Sequence, residues 1–318
     1  MTRSDDLSPR RGDAGLISIL HVSDLHFGPP YHDGVGDALL KFAHRLNADC
    51  IVASGDFTQR AREEQFAAAR AWLDQLPPVP TIVTPGNHDV PLYRGLERLL
   101  DPYRYYRQHI SPQLDSVTEI PGAVIVSLNS TAPRQAITNG RIHRWQIDLA
   151  REAFTGLPDE THRIVVSHHH FAPPPDWEGA DVMPKAKRAL DAFTAMRVDL
   201  ILGGHLHRAY IGNSLDVYAG ADREHGIIIA QSGTSTSRRG RAREREKNSL
   251  NVIRLGGGVI RITHYMYFDD AGDFVPTSRH LFFRRGRPPV LDDDEGLGHG
   301  VESIFMDDRR ERRDAQHV

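Results

Sequence analysis

The sequence predicts an α/β fold built on parallel strands, and three observations predict it. Short apolar runs alternate with helical periodicity from residue 16 to residue 84, in the order strand, helix, strand, helix, strand. That alternation places the strands side by side, joined by right-handed crossovers. Almost every predicted strand of the first two-thirds of the chain ends in a cluster of Asp, Asn or His. The texture changes near Tyr210, after which short β-type runs follow one another.

The elements follow in order. Residues 16–22 form an apolar run that reads as a buried strand. Residues 37–46 carry Leu39, Leu40, Ala43 and Leu46 at helical spacing, and residues 49–54 give the second strand. Residues 63–76 put Phe66, Ala69, Leu73 and Leu76 on one helical face, and Pro77-Pro78 stops that helix. Residues 81–84 are the third strand. Further strands are expected at 123–128, 163–167 and 199–202, and helices at 143–154 and 185–196. Beyond Tyr210 the runs 214–218, 226–230, 249–255, 259–268 and 279–284 predict a largely antiparallel set. Residues 1–14 are polar and expected to be disordered. The tail 287–318 has two prolines, an acidic cluster at 292–295 and no apolar periodicity, so a polar, unfolded appendage is expected there.

Composition narrows the function classes. The 318 residues are 39% hydrophobic and 25% charged, as in a soluble globular protein. A formal net charge of -3 argues against a whole-surface footprint for nucleic acid, though a local patch stays open. The single cysteine, Cys50, excludes an intramolecular disulfide and a cysteine-rich metal site. Its apolar surroundings make it a small buried hydrophobe. The N-terminus lacks an apolar leader core, and no run is long enough to span a bilayer, so a cytoplasmic location is expected.

The chemistry lies at the strand ends. The clusters are Ser23-Asp24-Leu25-His26, Gly55-Asp56, Gly86-Asn87-His88-Asp89, His168-His169-His170 and Gly203-Gly204-His205-Leu206-His207. Ligands of open α/β sheets sit outside the carboxyl ends of the strands. The five clusters therefore converge, although more than 180 residues separate Asp24 from His207. Each alone has an ordinary reading: a surface loop, a turn, a satisfied histidine pair. Five in order, each after an apolar strand, do not. Carboxylate oxygen and imidazole nitrogen suit manganese, iron, zinc, cobalt or nickel. Two such ions about 3.5–4 Å apart need a shared anionic ligand, which a lone Asp on a glycine turn supplies. Glycines 55, 86, 203 and 204 let the backbone turn sharply. The pairs Asp24-x-His26 and His205-x-His207 would point the same way from an extended segment.

Taken together over residues 16–268, these motifs resemble the calcineurin-like metallophosphoesterase superfamily. The flanking text at 54–59 and 86–91 looks like its bacterial branch that includes cyclic-nucleotide phosphodiesterases. The resemblance implies a four-layer α/β-β/α sandwich of two mixed sheets, forming one domain over 15–286. It implies that Asp24, His26 and His207 hold one metal and Asn87, His168 and His205 the other, with Asp56 bridging them. Iron, manganese or zinc are the expected ions. The family places its ligand at the first histidine after the strand, hence His168, leaving His169 to line the site or support a ligand. His88 is no ligand in that pattern; its imidazolium would stabilise the pentavalent state or protonate the leaving group, with Asp89 as its partner.

The expected reaction is phosphodiester hydrolysis by a hydroxide held between two metals, on a cyclic nucleotide or another small phosphodiester. A nuclease or a hydrolase of lipid-linked phosphodiesters is the first alternative. A noncatalytic metal-binding scaffold is the alternative of a different class, marked by a missing ligand or a missing His88, and none is missing. Substrate choice falls to loops 27–32, 93–94, 129–134 and 171–177. There Asn129, Ser130 and Arg134 could meet phosphate, and Phe171 or Trp177 could stack on a base. The basic run 238–243 is diluted by Glu244 and Glu246 and lacks interleaved aromatics, so it reads as a solvated loop, with the approach of an anionic substrate or membrane surface as the alternative, and nucleic acid is not favoured. A lipid hydrolase needs an exposed apolar groove, and no amphipathic surface helix is evident in the sequence.

Overall fold

The strands and helices alternate through the first half of the chain as their periodicities require. In the computed structural model, which describes residues 16–134, 139–173, 182–218, 226–241, 244–256 and 258–284, they begin with β1 (Ile17–Val22), α1 (Asp33–Leu46), β2 (Cys50–Ala53), α2 (Glu63–Leu73) and β3 (Thr81–Val83). Then come α3 (Gly95–Leu100), α4 (Arg104–His109), β4 (Ser116–Ile120), β5 (Ala123–Ser127), α5 (Arg144–Phe154), β6 (His162–Val166) and α6 (Ala186–Ala195). The last third holds β7 (Leu200–Gly203), β8 (Tyr210–Asn213), β9 (Ile228–Gln231), β10 (Ser249–Gly256), β11 (Val259–Phe268) and β12 (Asp273–Phe283). Residues 1–14, the tail 287–318, Trp177 and Arg243 lie outside the described residues.

Two six-stranded sheets result, in the orders β12-β11-β10-β1-β2-β3 and β4-β5-β6-β7-β9-β8. Both are mixed. β1, β2 and β3 run parallel while β10 pairs antiparallel with β1; β5, β6, β7 and β9 run parallel between the antiparallel edges β4 and β8.

Strand alternation explains why the sheets stack. In β2, Ile51 and Ala53 pack with Leu39 and Phe42 of α1 and Phe66 of α2, whereas Cys50 and Val52 face the other way. In β6, Ile164 and Val166 join that same middle stratum, while Val165 packs toward Ile147 of α5 and Phe193 of α6. Three apolar strata therefore separate four layers, α/β-β/α. Cys50 is free and fully buried between the sheets.

The structure departs from the sequence reading in several places. Residues 214–218 are not a strand: the Asn213 side chain accepts from Leu215 N at 2.9 Å and turns Ser214–Asp216 into a single 3-10 turn. β9, expected to be antiparallel like its neighbours, runs parallel to β7. α1 starts four residues early because His32 caps it, accepting from Val35 N. α3 and α4 were not foreseen, being six residues each and interrupted by Asp101-Pro102. α3 also buries none of its residues, leaving Leu96 and Leu100 each 77% exposed.

Two polar features are buried in the fold, and the first of them joins the sheets. Arg284, just beyond β12, meets Asp199 through two hydrogen bonds of 2.9 and 3.0 Å and donates to the carbonyls of Glu160 and Thr161, all on the second sheet's side. His21 of β1 is fully buried, with Nε2 2.9 Å from Ser54 Oγ. Burial lowers its pKa to about 3 despite the opposing pull of Asp24.

Replacing Arg284 by Ala strands Asp199 in a dry setting and should cost about 3–5 kcal/mol of stability, read from the urea midpoint. An unchanged midpoint would contradict the clasp. His21 enters the unfolded chain near its ordinary value of 6.5 but stays neutral when folded. Its contribution is thus intact above that pH and is lost as pH falls from about 6.5 toward 3, by up to about 1.4 kcal/mol per pH unit. His21→Asn should flatten the stability–pH slope in that window by as much as one proton; an equal slope in variant and wild type would refute this.

Candidate metal centre

The motif loops converge, and the backbone is contorted to make them do so. Among the described residues ten non-glycine positions have positive φ, and five of them are Asp24, His26, Asp56, His205 and His207. The left-handed region costs an L-residue about 1–2 kcal/mol. The Asp24-x-His26 and His205-x-His207 pairs are thus not extended segments, as the spacing predicted, but kinked ones that aim alternate side chains inward. Such strain persists only where surrounding bonds over-determine it.

Those bonds come from residues 232–237, a buried Ser/Thr strap after β9. Thr234 Oγ1 donates to Asp24 O at 2.7 Å and Thr236 Oγ1 to Leu25 O at 2.8 Å. Ser235 N donates to Ser23 O, and Ser23 N donates to Ser235 Oγ. Further on, Arg241 N donates to His207 O. Two glycines are required by close approach. A Cβ at Gly86 would lie 2.1 Å from Asp56 Oδ1, and one at Gly204 would lie 1.8 Å from Ser23 Oγ and 2.4 Å from Asp24 Oδ2.

The two carboxylates are divided between backbone and pocket. Asp24 Oδ2 accepts from His205 N at 3.0 Å, and Asp56 Oδ1 accepts from His88 N at 2.7 Å. The other oxygens, Asp24 Oδ1 and Asp56 Oδ2, are buried without a hydrogen-bond donor. Around them His26 Nε2 and His207 Nε2 stand 3.1 Å apart. Both rings turn Nδ1 to a backbone carbonyl, of Thr58 and Arg239 respectively. A carbonyl only accepts, so Nδ1 carries a hydrogen in each ring and Nε2 is the nitrogen turned toward the pocket. Asp24 Oδ1 is 3.1 Å from His207 Nε2 and 3.6 Å from His26 Nε2. One donor atom each from Asp24, His26, Asp56 and His207 thus lies within 4.8 Å of the rest. Electron pairs packed this closely repel one another unless a cation sits among them, so the donor set fits a metal ion.

A second group adjoins it. Asn87 Oδ1 is 2.9 Å from His205 Nδ1 and 3.2 Å from His168 Nε2. Asp56 Oδ2 lies 3.4 Å from His168 Nε2 and 3.7 Å from His26 Nε2, between the two groups. His168 gives Nδ1 to Ser54 O at 2.8 Å. Burial opposes its charge, but Asp56 raises its pKa to about 9, so a proton takes the place of a cation beside the carboxylate. Burial likewise disfavours charge on Asp24 and Asp56, yet the histidines around them hold both carboxyls well below the usual range. Burial lowers His26 to about 4, keeping it neutral.

The remaining expected residues are placed as follows. His88 stands edge-on to His26, ring centroids 4.8 Å apart, and its Nδ1 is 2.9 Å from Gln59 O. Asp89 does not hold that imidazole. Its carboxylate accepts from Gly86 N, Phe57 N, Thr58 N and Thr58 Oγ1 at 2.9–3.1 Å, stapling the loop of Asp56 to the loop of Asn87. His169 stands against His168 and His205, and its Nδ1 meets Ser130 Oγ at 2.8 Å. Asn129, expected to meet phosphate, has its side chain engaged within the protein: its Oδ1 accepts twice from Thr131 and its Nδ2 donates to Tyr103 OH. Arg134 is exposed and donates to Leu99 O. Phe171 is fully buried against Phe193 and presents no face to a base.

The sequence reading missed Gln59, Arg239 and the strap. The basic run is not simply a solvated loop. Arg239 is half-buried and reaches Gln59 Oε1 at 2.8 Å, and Glu244 is buried, accepting from Ala209 N and Ser249 Oγ at 2.6 Å. The run of hydroxyls from 234 to 237 was the available signal, since such side chains satisfy buried backbone.

A family model described as calcineurin-like phosphoesterase matches residues 17–209. The purple acid phosphatase PPD1 from yellow lupin (Lupinus luteus) seeds shares the fold at 11% identity with a TM-score of 0.62. The alignment covers 87% of this chain and 55% of that one, so this chain spans about half the lupin protein's length. GAP50, titled the anchor in the inner membrane complex of Plasmodium, aligns at 11% identity with a TM-score of 0.55, covering 86% of this chain and 90% of its own. No curated protein matches the chain.

Proposed function

The chain belongs to the calcineurin-like phosphoesterase family, and from that premise we propose that it hydrolyses phosphodiesters at a two-metal site, its substrate a cyclic nucleotide or another small phosphodiester. The observation that carries this reading is the position of Asp56 Oδ2, a buried oxygen without a donor, between His26 Nε2 and His168 Nε2. Asp24, His26 and His207 would hold one ion, Asn87, His168 and His205 the other, and Asp56 both. Iron, manganese or zinc suits these donors. When bound, the ions supply Lewis acidity toward the phosphoryl oxygens and a hydrolytic nucleophile near neutral pH.

The protein's own groups do the rest. The His88 amide fixes Asp56 Oδ1 and so aims Oδ2 inward. The Gln59 carbonyl fixes the His88 ring through Nδ1, leaving Nε2 for the departing oxygen. Burial lowers the His88 pKa, so the free ring is neutral near pH 7; an anionic phosphate alongside favours the imidazolium that protonates the leaving group.

A second reading, a hydrolase of lipid-linked phosphodiesters, draws on one observation. The chain leaves the Asn87-His88 loop and at once exposes Leu92, Tyr93, Leu96, Leu99 and Leu100. A cleft of about 540 Å³ lies there, lined by residues including Arg60, Tyr93 and Arg94. The cleft carries Arg60, Arg62 and Arg94 against Glu63, Glu64 and Glu97, so it is the exposed apolar ridge, which suits an acyl chain, that favours this reading.

Bis(p-nitrophenyl) phosphate with added manganese should be turned over; silence from a metal-loaded protein would point to a scaffold instead. Asp56→Ala should bind neither ion, and metal analysis finding two would remove its bridging role. His88→Ala should keep both ions and lose about 10²–10⁴-fold in turnover on an alkyl diester. Equal rates for variant and wild type would take His88 out of the mechanism.

A further inference from the structure

Arg239 lies at this site with a guanidinium that the metal centre does not use. Its carbonyl orients His207 through Nδ1 at 3.1 Å, and its side chain crosses to Gln59, where Nη1 donates to Oε1 at 2.8 Å. The carbonyl of Gln59 is the group that holds His88 Nδ1. One residue thus carries both the proton-donating imidazole and a cation. Guanidinium has five N–H donors. Among the described residues Arg239 engages one of them, with a neutral amide, and no carboxylate lies within ion-pair distance of it.

Its surroundings call for an anion. Arg239 is half-buried, which penalises an unpaired charge, and Arg60 and Arg241 add repulsion. Asp56 and Asp24 offset this through space only. Cations on those carboxylates would cancel that support. A fork of N–H donors beside a site for phosphoryl transfer matches the paired oxygens of a phosphate.

We propose that Arg239 is a phosphate-binding residue: its guanidinium grips a nonbridging oxygen pair of the substrate, and Gln59 is the positioning residue that holds it beside His88. The inference rests on the phosphodiesterase reading of the same site and adds to it a requirement for an anionic phosphoryl group.

The test uses the full chain loaded with manganese and titrates inorganic phosphate by calorimetry, beside turnover of bis(p-nitrophenyl) phosphate. Arg239→Gln should weaken phosphate binding and raise KM by about 10- to 100-fold, with metal content unchanged. Arg239→Lys should recover part of the loss. Gln59→Ala, which leaves the Arg239 backbone untouched, should weaken phosphate about 3- to 10-fold and decides the matter should Arg239→Gln fail to load metal. Wild-type affinity for phosphate in metal-loaded variants overturns the proposal, as does a wild-type protein that binds no phosphate. A wild type that binds phosphate through Arg239 yet turns over no diester overturns the hydrolase reading and leaves this one standing.

Discussion

The structure is organised around electron-rich donor atoms held close together in one buried pocket. His26 and His207 bring their Nε2 atoms within 3.1 Å of each other, and two buried carboxylate oxygens join them. Left alone, such donors would separate. The left-handed residues, the close-set glycines and the hydroxyl strap all hold them together. The folding energy of three apolar strata thus sustains a local arrangement that is unfavourable until positive charge arrives.

The division of each carboxylate is the finer part of the same design. One oxygen of Asp24 and one of Asp56 are tied to amides of His205 and His88, residues that themselves belong to the site. Each motif therefore orients another, and no single loop is right on its own. Asp89 extends the principle: it carries no bond to the His88 ring but fixes the relative position of the loops that contribute Asp56 and Asn87. Burial and the nearby Asp56 push its carboxyl up to about 7, against the pull of the backbone amides it accepts from.

How much of this was legible in the sequence depended on whether the signal was local. Strand-end positions follow from apolar runs, and residue type gives the chemistry, so the convergence of the motif loops was legible in the residues, while the four-layer fold followed from the family resemblance. The partners of Asp89 and Asn129 could not be read there, because a side chain's direction in a turn depends on which backbone amides lie near it. Phe171 looked available only until α6 was packed over it. Arg239 was hidden by its neighbours, since a run of arginines resembles any solvated loop until the fold brings one of them to Gln59, 180 residues earlier. α3 escaped because six residues give too few turns for periodicity to register.

The strap has one further consequence. Residues 232–237 secure a motif that begins at Asp24, and the intervening segment supplies His205 and His207. A chain emerging from the ribosome has its first motifs long before it has the piece that cinches them. The pocket therefore cannot take its full shape until residues 232–237 have been made.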